Sequence, residues 1–438
     1  MGDVLIGRID VEHGPRWDGK EGRLLLHREL FFAGDFIIVC DMSTDARTSN
    51  FDSSIKPTRK PKPKNVNPIE AAIKSWLDVL PEELVHSLEL TFERLLLKSP
   101  KRWVVYPPMI LLPSGSFREG SLHPSVPQRQ KDGLWKEILE RIGKKEGKGI
   151  LTHLAINSGI PLNRNEDGEN ILRTPSGLIM LYGDFGPNLQ PERAPSERDF
   201  EEAFWVSTKQ NGITQVWAPR YTMFSRGNVK EKARLLDFHS PEQEMGNRRV
   251  GKEELAGKVA VDLYAGIGYF VFSYVKMGML RVVGWELNPW SVEGLRRGAV
   301  ANGWSVRVVK GDEGWEGDAK EKIVVFLEDN RRAVERLMVV ERAEFGSVSH
   351  VNGGLLPNSE ASWKMSLEIL NGEGWLHLHE NVGVNDVERR RVEIEDKFRA
   401  WLQEKDGNRQ VKVEHVEFVK TFAPGVWHCV FDIYISSH

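Results

Sequence analysis

The stretch VAVDLYAGIGYFVFSYVKMGMLRVVGWELNP, Val259 to Pro289, decides the fold. A β-branched, apolar run ends at Asp262, a turn carrying Gly266 and Gly268 follows, a helix-length segment begins near Tyr269, and a second strand-like run ends at Glu286. Strand, glycine turn, helix and strand in that order form the first unit of an open α/β sheet, whose ligands lie beyond the carboxyl ends of the strands. Gly266 and Gly268 let the backbone approach a ligand as it turns into the helix. Glu286 stands where an acid that accepts ribose hydroxyls belongs. A nicotinamide dinucleotide and S-adenosylmethionine both fit so far.

The third glycine position separates them. The dinucleotide fingerprint G-x-G-x-x-G, counted from Gly266, falls on Val271, so the close helix–strand packing around a pyrophosphate is missing. Asp262 and Tyr264 put an acid and an aromatic ring at the turn, a poor match to a diphosphate and a reasonable one to a sulfonium with its ammonium group. These residues favour S-adenosylmethionine. A short glycine motif is weak evidence by itself, and a strand–turn–helix with no ligand is the plain alternative.

Outward from this stretch, KVAVDLYA, LRVVGWEL, VRVVKG, IVVFLED, SVSHVNGGLL and GWLHLHE alternate with helix-length segments. That alternation predicts a parallel sheet wrapped by helices over residues 246–438. Its last pair, QVKVEHVEFVKTFAPGVWHCVFDIYIS, joined through Pro424-Gly425, predicts an antiparallel hairpin at the edge. The fold class is therefore α/β, a Rossmann-like sheet with a C-terminal antiparallel hairpin. Before it, residues 131–245 read as a smaller α+β domain in which Asn211-Gly212 is the clearest hairpin turn. Residues 1–130 read as an N-terminal extension. It holds a basic, Pro-rich linker near 45–68 with Lys56, Arg59, Lys60, Lys62 and Lys64, followed by one or two amphipathic helices in PIEAAIKSWLDVLPEELVHSLELTFERLLLKSP.

Charge is nearly balanced, 60 Lys+Arg against 63 Asp+Glu, so any polyanion must be met by a local patch rather than a global field. The arginine groups Arg248-Arg249, Arg296-Arg297, Arg331-Arg332 and Arg389 to Arg391 would supply one if they converged on a face. Two cysteines, Cys40 and Cys429, are too few for a disulfide framework or a Cys-rich zinc site, and they point to a reducing compartment. MGDVLIGRIDVEHGPRW lacks the pattern of a signal peptide, and no apolar run approaches the roughly 18 residues that span a bilayer. The expectation is a soluble, cytoplasmic protein with no membrane and no evident protein partner.

With these motifs in view, the chain resembles the family of tRNA position-37 modifying enzymes, which holds guanine-N1 methyltransferases and the aminocarboxypropyl transferases of wybutosine synthesis. RYTMFSRGNVKEKARLL, VDLYAGIGYF, WELNPWSVEGLRRGAVANG, LEDNRRA, GLLPNSEASW, LHLHENV and FAPGVWHCVFD carry the resemblance, from about Leu151 to the C-terminus. Where the methyltransferases have Asn-Leu-Pro, this chain has Leu355-Leu356-Pro357, which removes a polar group expected near the target base. The departure resembles the wybutosine branch. The resemblance therefore implies transfer of the 3-amino-3-carboxypropyl group of S-adenosylmethionine, without a metal, to C7 of 4-demethylwyosine at position 37, with the tRNA-Phe anticodon stem-loop as partner. A guanine-37 N1-methyltransferase and a catalytically idle tRNA-binding module are the alternatives.

The candidate cofactor residues follow. Glu286 accepts the ribose hydroxyls, a role the resemblance supports, and Gly266 and Gly268 carry the turn. Asp262 either contacts the amino end of the methionine moiety or orders the loop. Ser225, Arg226 and Lys232 place a hydroxyl, a guanidinium and an ammonium near a helix N-terminus, suited to the methionine carboxylate or to the anticodon-loop backbone. The resemblance assigns Asp329 and Asn330 to the adenine edge, with Asp312 as a competitor, and EGWEGDAKEK then reads as a surface insertion. His379 and Glu380 are weak candidates for a general base, and His377 and His379 have no further ligands at metal-binding spacing.

Overall fold

The computed structural model describes residues 66–436, apart from 118–123, 160–169, 176, 191–192, 241–247, 316, 318–319, 341–344, 371 and 406–407, together with residues 32–33 and 36–37. The chain divides into two units, residues 1–64 and 65–438. In the first, β1 (Phe32–Ala33) pairs antiparallel with β2 (Phe36–Ile37). Cys40 and the linker's lysine and arginine cluster lie outside the described residues.

The second unit opens with a helix whose start is written locally. Asn67 accepts the amide of Ile69 through its side chain and Pro68 fills the first turn of helix Pro68–Val79. Ile69, Ala72, Ile73 and Trp76 recur at helical spacing and are buried in one core with Leu134, Trp135, Ile138 and Ile142 of helix Gln128–Glu146. The same core lines a four-stranded sheet of order β3 (Val104–Tyr106), β4 (Met109–Leu112), β5 (His153–Ile156) and β6 (Ile179–Tyr182). β4 and β5 pair in parallel, so the expected boundary at residue 130 cuts through a sheet. Strands of three or four residues, separated by a long helix, leave no periodic signal of their pairing. The helical stretch of the extension is three helices, with Glu82–Ser87 and Phe92–Leu97 following the first.

The expected hairpin forms between β7 (Val206–Gln210) and β8 (Ile213–Trp217), with Asn211 and Gly212 at φ 51° and 71°. It packs on helix Pro289–Ala301: Asn302, which follows that helix, exchanges side-chain hydrogen bonds with the amide and carbonyl of Thr214, at 2.9 and 2.7 Å.

The large sheet comprises β9 (Lys258–Asp262), β10 (Arg281–Glu286), β11 (Val306–Lys310), β12 (Ile323–Leu327), β13 (Ser347–Gly353), β14 (Gly374–Gly383), β15 (Gln410–Ala423) and β16 (Val426–Ser436), in the order β11-β12-β10-β9-β13-β14-β16-β15. The first six are parallel, and the terminal hairpin is antiparallel, as expected. Alternate residues supply two cores: Val259, Val261, Val324 and Phe326 one, Ala260, Val282, Ile323 and Val325 the other. EGWEGDAKEK is not wholly a surface insertion. Trp315 is buried edge-on against Phe326 and Phe345, with ring centroids 5.2 and 5.7 Å apart. Cys429 is a free, buried thiol on β16. Among the described residues, no helix is long and apolar enough to cross a membrane.

Helix Pro289–Ala301 is wedged between this hairpin and the glycine turn. A Cβ on Gly294 would stand 2.7 Å from the Val216 carbonyl oxygen and 3.3 Å from Ile267 Cγ2. Gly294→Ala should therefore destabilise by ~1–3 kcal/mol, as overpacking does, despite the ~1 kcal/mol of helix propensity alanine supplies. Urea unfolding reads it; a stabilised variant would show that the hairpin yields freely.

Candidate active site

The topology places one crevice at the carboxyl ends of β9, β10 and β13, with the chain leaving β9 and β13 in opposite directions. Gly266 sits there at φ 54°, and a Cβ on it would meet the Tyr269 ring at 2.8 Å. Its amide donates to Glu286 Oε2 at 2.9 Å, while the amide of Asn288 donates to Glu286 Oε1 at 2.7 Å. Burial nevertheless pushes the Glu286 carboxyl up to about 7, against the lowering by these N–H donors. Gly268 has a different task. At φ 88° it leaves room for the Phe272 ring, which a Cβ would meet at 2.6 Å, and it does not line the crevice.

Asp262 lies beneath the turn, fully buried. Its Oδ1 accepts the Tyr264 amide and Asn352 Nδ2, both at 3.1 Å, and burial raises its carboxyl to about 6. Of the two roles open to it, the bonds in place are those that order the loop; it is not part of the cavity wall.

Three cross-links roof the crevice into a cavity of about 530 Å³. Asn288 caps helix Pro289–Ala301 through the Trp290 amide and donates to the carbonyls of Leu172 and Tyr221, at 3.0 and 3.3 Å. The Tyr269 hydroxyl donates to the Met223 carbonyl and accepts the Ser225 amide. Arg173, held at φ 52°, donates to the carbonyl of Leu356 at 2.6 Å. The cavity brings together Ser225, Gly266, Glu286, Asp329 and Asn330 from the expected set, with Leu355 in its wall. Asn330 anchors its own turn by donating to the Leu263 carbonyl at 2.8 Å, and Asp329 is paired with Arg331. Asp312 is fully exposed at the far end of β11 and is not in the wall, because β12 and not β11 neighbours β10.

Other expected residues lie elsewhere. Lys232 is buried, with Nζ donating to Gln210 and Gln215 Oε1 at 2.8 and 2.9 Å and standing 4.8 Å from the Phe224 ring centroid; burial lowers it to about 8. It braces the hairpin and grips no carboxylate. Arg226 is exposed and lines a neighbouring cavity. His379 is buried between His428 Nε2 and Asn352 Oδ1, at 2.9 and 3.2 Å, with the Phe270 ring beside it, and burial holds it well below its ordinary value. Glu380 is buried on the other side of the strand in a bidentate pair with Arg390. Neither reaches the cavity, so both fail as a general base in this arrangement. The arginine groups do not form a free face: Arg296 and Arg297 pair with Glu293, Arg332 with Glu328, Arg389 with Asp386 and Arg391 with Glu388.

Among the wall residues that the sequence reading missed are Arg173 and Asn228. Arg173 needed a contact across 183 positions to become visible. Asn228 stands in the SRGN motif, and its Oδ1 is buried in the wall with no hydrogen-bond partner; its amide was legible as polar, but its direction was not. Among the described residues, no group of His, Cys, Asp or Glu is placed to hold a metal ion.

No family model matches the chain. The tRNA wybutosine-synthesizing protein 2 of Schizosaccharomyces pombe is 41% identical over 344 residues, 76% of this chain and 72% of that one. Its namesake in Saccharomyces cerevisiae is 32% identical over 378 residues, covering 76% and 74%. The crystal structure of Pyrococcus horikoshii TYW2 in complex with MeSAdo covers 84% of this chain and 100% of its own at a TM-score of 0.50 and 18% identity, a likeness of fold. The large sheet defines an open α/β class shared with that structure. Within that class, the chain belongs to the tRNA wybutosine-synthesizing protein 2 family.

The raised Glu286 carboxyl has a stability signature. The folded protein holds this proton more tightly than the unfolded chain does, so the group's contribution is full below pH 4.5 and is lost as pH rises through about 7. Glu286→Gln should shrink the fall in unfolding free energy between about pH 5 and pH 8 by on the order of 2 kcal/mol. Equal pH slopes in urea titrations of the two proteins would contradict the burial argument.

Proposed function

We propose that this protein transfers the 3-amino-3-carboxypropyl group of S-adenosylmethionine to C7 of 4-demethylwyosine at position 37 of tRNA-Phe, releasing methylthioadenosine. The observation that carries the reading is the cavity at the carboxyl ends of β9 and β10, with the Glu286 cradle at one side and Leu355 in its wall. The names of the yeast relatives support it.

The wall residues suit this co-substrate. Glu286, its oxygens held by two amides, presents its remaining lone pairs to ribose hydroxyls. Asn330 and Asp329 stand at the next strand end, where an adenine edge would lie. The orphaned Asn228 Oδ1 and the Ser225 hydroxyl offer an acceptor and a donor to the amino-acid end. Tyr264, Phe270 and Trp285 supply aromatic surface for a cationic sulfur. Arg226 and Lys232 are not needed for this grip.

The sulfonium supplies a leaving group: a C7–Cγ bond forms, the Cγ–S bond breaks with its electron pair on sulfur, and the C7 proton is lost. All three carbons on sulfur share that activation, so the protein's contribution is orientation. The leucine side chain at position 355 offers no hydrogen bond to the target base, while Arg173 fixes the backbone of Leu356 beside it. The acceptor is the anticodon stem-loop of tRNA-Phe, in the cytoplasm.

Incubation with precursor-bearing tRNA and S-adenosylmethionine labelled separately on the methyl and carboxypropyl carbons should deliver only the carboxypropyl label. Methyl label alone would establish the methyltransferase instead, and no label would favour a binding module. Glu286→Ala should weaken S-adenosylmethionine binding by ~1–3 kcal/mol in calorimetry. Wild-type affinity should also fall as pH drops through about 7, where the carboxylate takes up its proton.

A further inference from the structure

The segment Thr222–Ser225 also walls a second, larger cavity of about 750 Å³, which shares Thr222, Met223 and Ser225 with the first. Its deep side is aromatic. Trp217 and Phe224 stack with centroids 4.8 Å apart, and Tyr106 meets both edge-on at 4.9 and 5.9 Å. Its lining also carries Lys101, Arg226 and Lys420. Three elements distant in sequence deliver these cations: the approach to β3, the turn before helix Val229–Leu236, and edge strand β15.

Lys420 is held there by shape. Its chain lies across the backbone of Gly227, where a Cβ would stand 2.5 Å from Lys420 Cδ. Whereas most arginines of the large sheet are spent on neighbouring carboxylates, Lys101, Arg226 and Lys420 have no carboxylate partner among the described residues. The lining does include one acid, Glu146, which accepts the Trp103 indole N–H at 3.2 Å.

An aromatic wall beside unpaired cations suits a flat π-system joined to an anion, the chemistry of a nucleotide. A bare phosphate would leave the aromatic wall unused, and an uncharged peptide would leave the cations unused. We propose that this cavity binds a single-stranded nucleotide next to the target base in the same RNA loop, its base on the aromatic wall and its two flanking phosphates on Lys101, Arg226 and Lys420. The shared wall then sets the register, because one loop nucleotide seated here places its neighbour over the first cavity. This inference rests on the tRNA reading above and assigns Arg226 to RNA and not to the cofactor.

The test uses the full chain with two RNA probes, the tRNA-Phe anticodon stem-loop and the same stem closed by a tight tetraloop, titrated across a KCl series by fluorescence anisotropy. Lys101→Gln/Lys420→Gln should bind the stem-loop about tenfold more weakly. Its log–log salt slope should flatten by about 1.4, two single-strand contacts at ~0.7 each. Affinity for the tetraloop probe and for S-adenosylmethionine should stay unchanged. Gly227→Ala, which displaces Lys420 without removing a charge, should weaken stem-loop binding in the same direction. Unchanged stem-loop affinity and slope, or an equal loss on both RNAs, would overturn the proposal while leaving the transferase reading standing. A wild-type protein that binds neither RNA would remove that reading and the proposal together.

Discussion

The carboxylate of Glu286 accepts the amides of Gly266 and Asn288, and through that pair of bonds the first turn of the large sheet is fastened to the second. Much else is placed by this junction. Gly284, two residues earlier, has no side chain because a Cβ would press to 2.9 Å on that of Ala265. Asn288, two residues later, caps a helix and ties down the loops at Leu172 and Tyr221. A carboxylate in so enclosed a place is costly, and the two amides offset that cost only in part, which is why its proton affinity stays high. The same raised affinity is what makes its remaining oxygen lone pairs strong acceptors once ionised.

Beside this junction one face of the sheet is polar where a core is ordinarily apolar. His239, His350 and His377 are linked ring to ring at 2.9 Å, and His377 meets Asp432 at 2.7 Å, which pairs in turn with Arg234, itself bound to Glu231. A second chain runs from Asp262 through Asn352 and His379 to His428. Each link satisfies a group that would otherwise be buried alone, so removing one member strands its neighbour. The histidines therefore belong to the scaffold beneath the glycine turn, and Phe270 stands between His379 and the cavity.

Charge is divided in a related way. Several arginines of the large sheet's helices face acids on the same helix or just before it, as Arg296 does Glu293, Arg389 Asp386 and Arg391 Glu388. Lys101, Arg226 and Lys420, which have no carboxylate partner among the described residues, line the second cavity. Net charge and arginine doublets were thus poor guides to a polyanion site, because a pair one helical turn away neutralises a cation that sequence reading counts as available.

The sequence by itself determined whatever rests on neighbours along the chain. The alternation of apolar runs with helix-length segments predicted the parallel sheet, Asn211-Gly212 the hairpin, Val271 the absence of a dinucleotide fingerprint, and the GIG turn with Glu286 the location of the crevice. The tertiary structure alone decided which side chains face that crevice. Asp262, Gly268 and Lys232 sit within a few positions of its wall yet stay out of it, as do His379 and Glu380 on β14, while Arg173 and Asn228 turn in. The physical reason is that a side chain's direction follows from strand pairing and loop closure over distances of up to 183 positions, and local spacing carries no record of either.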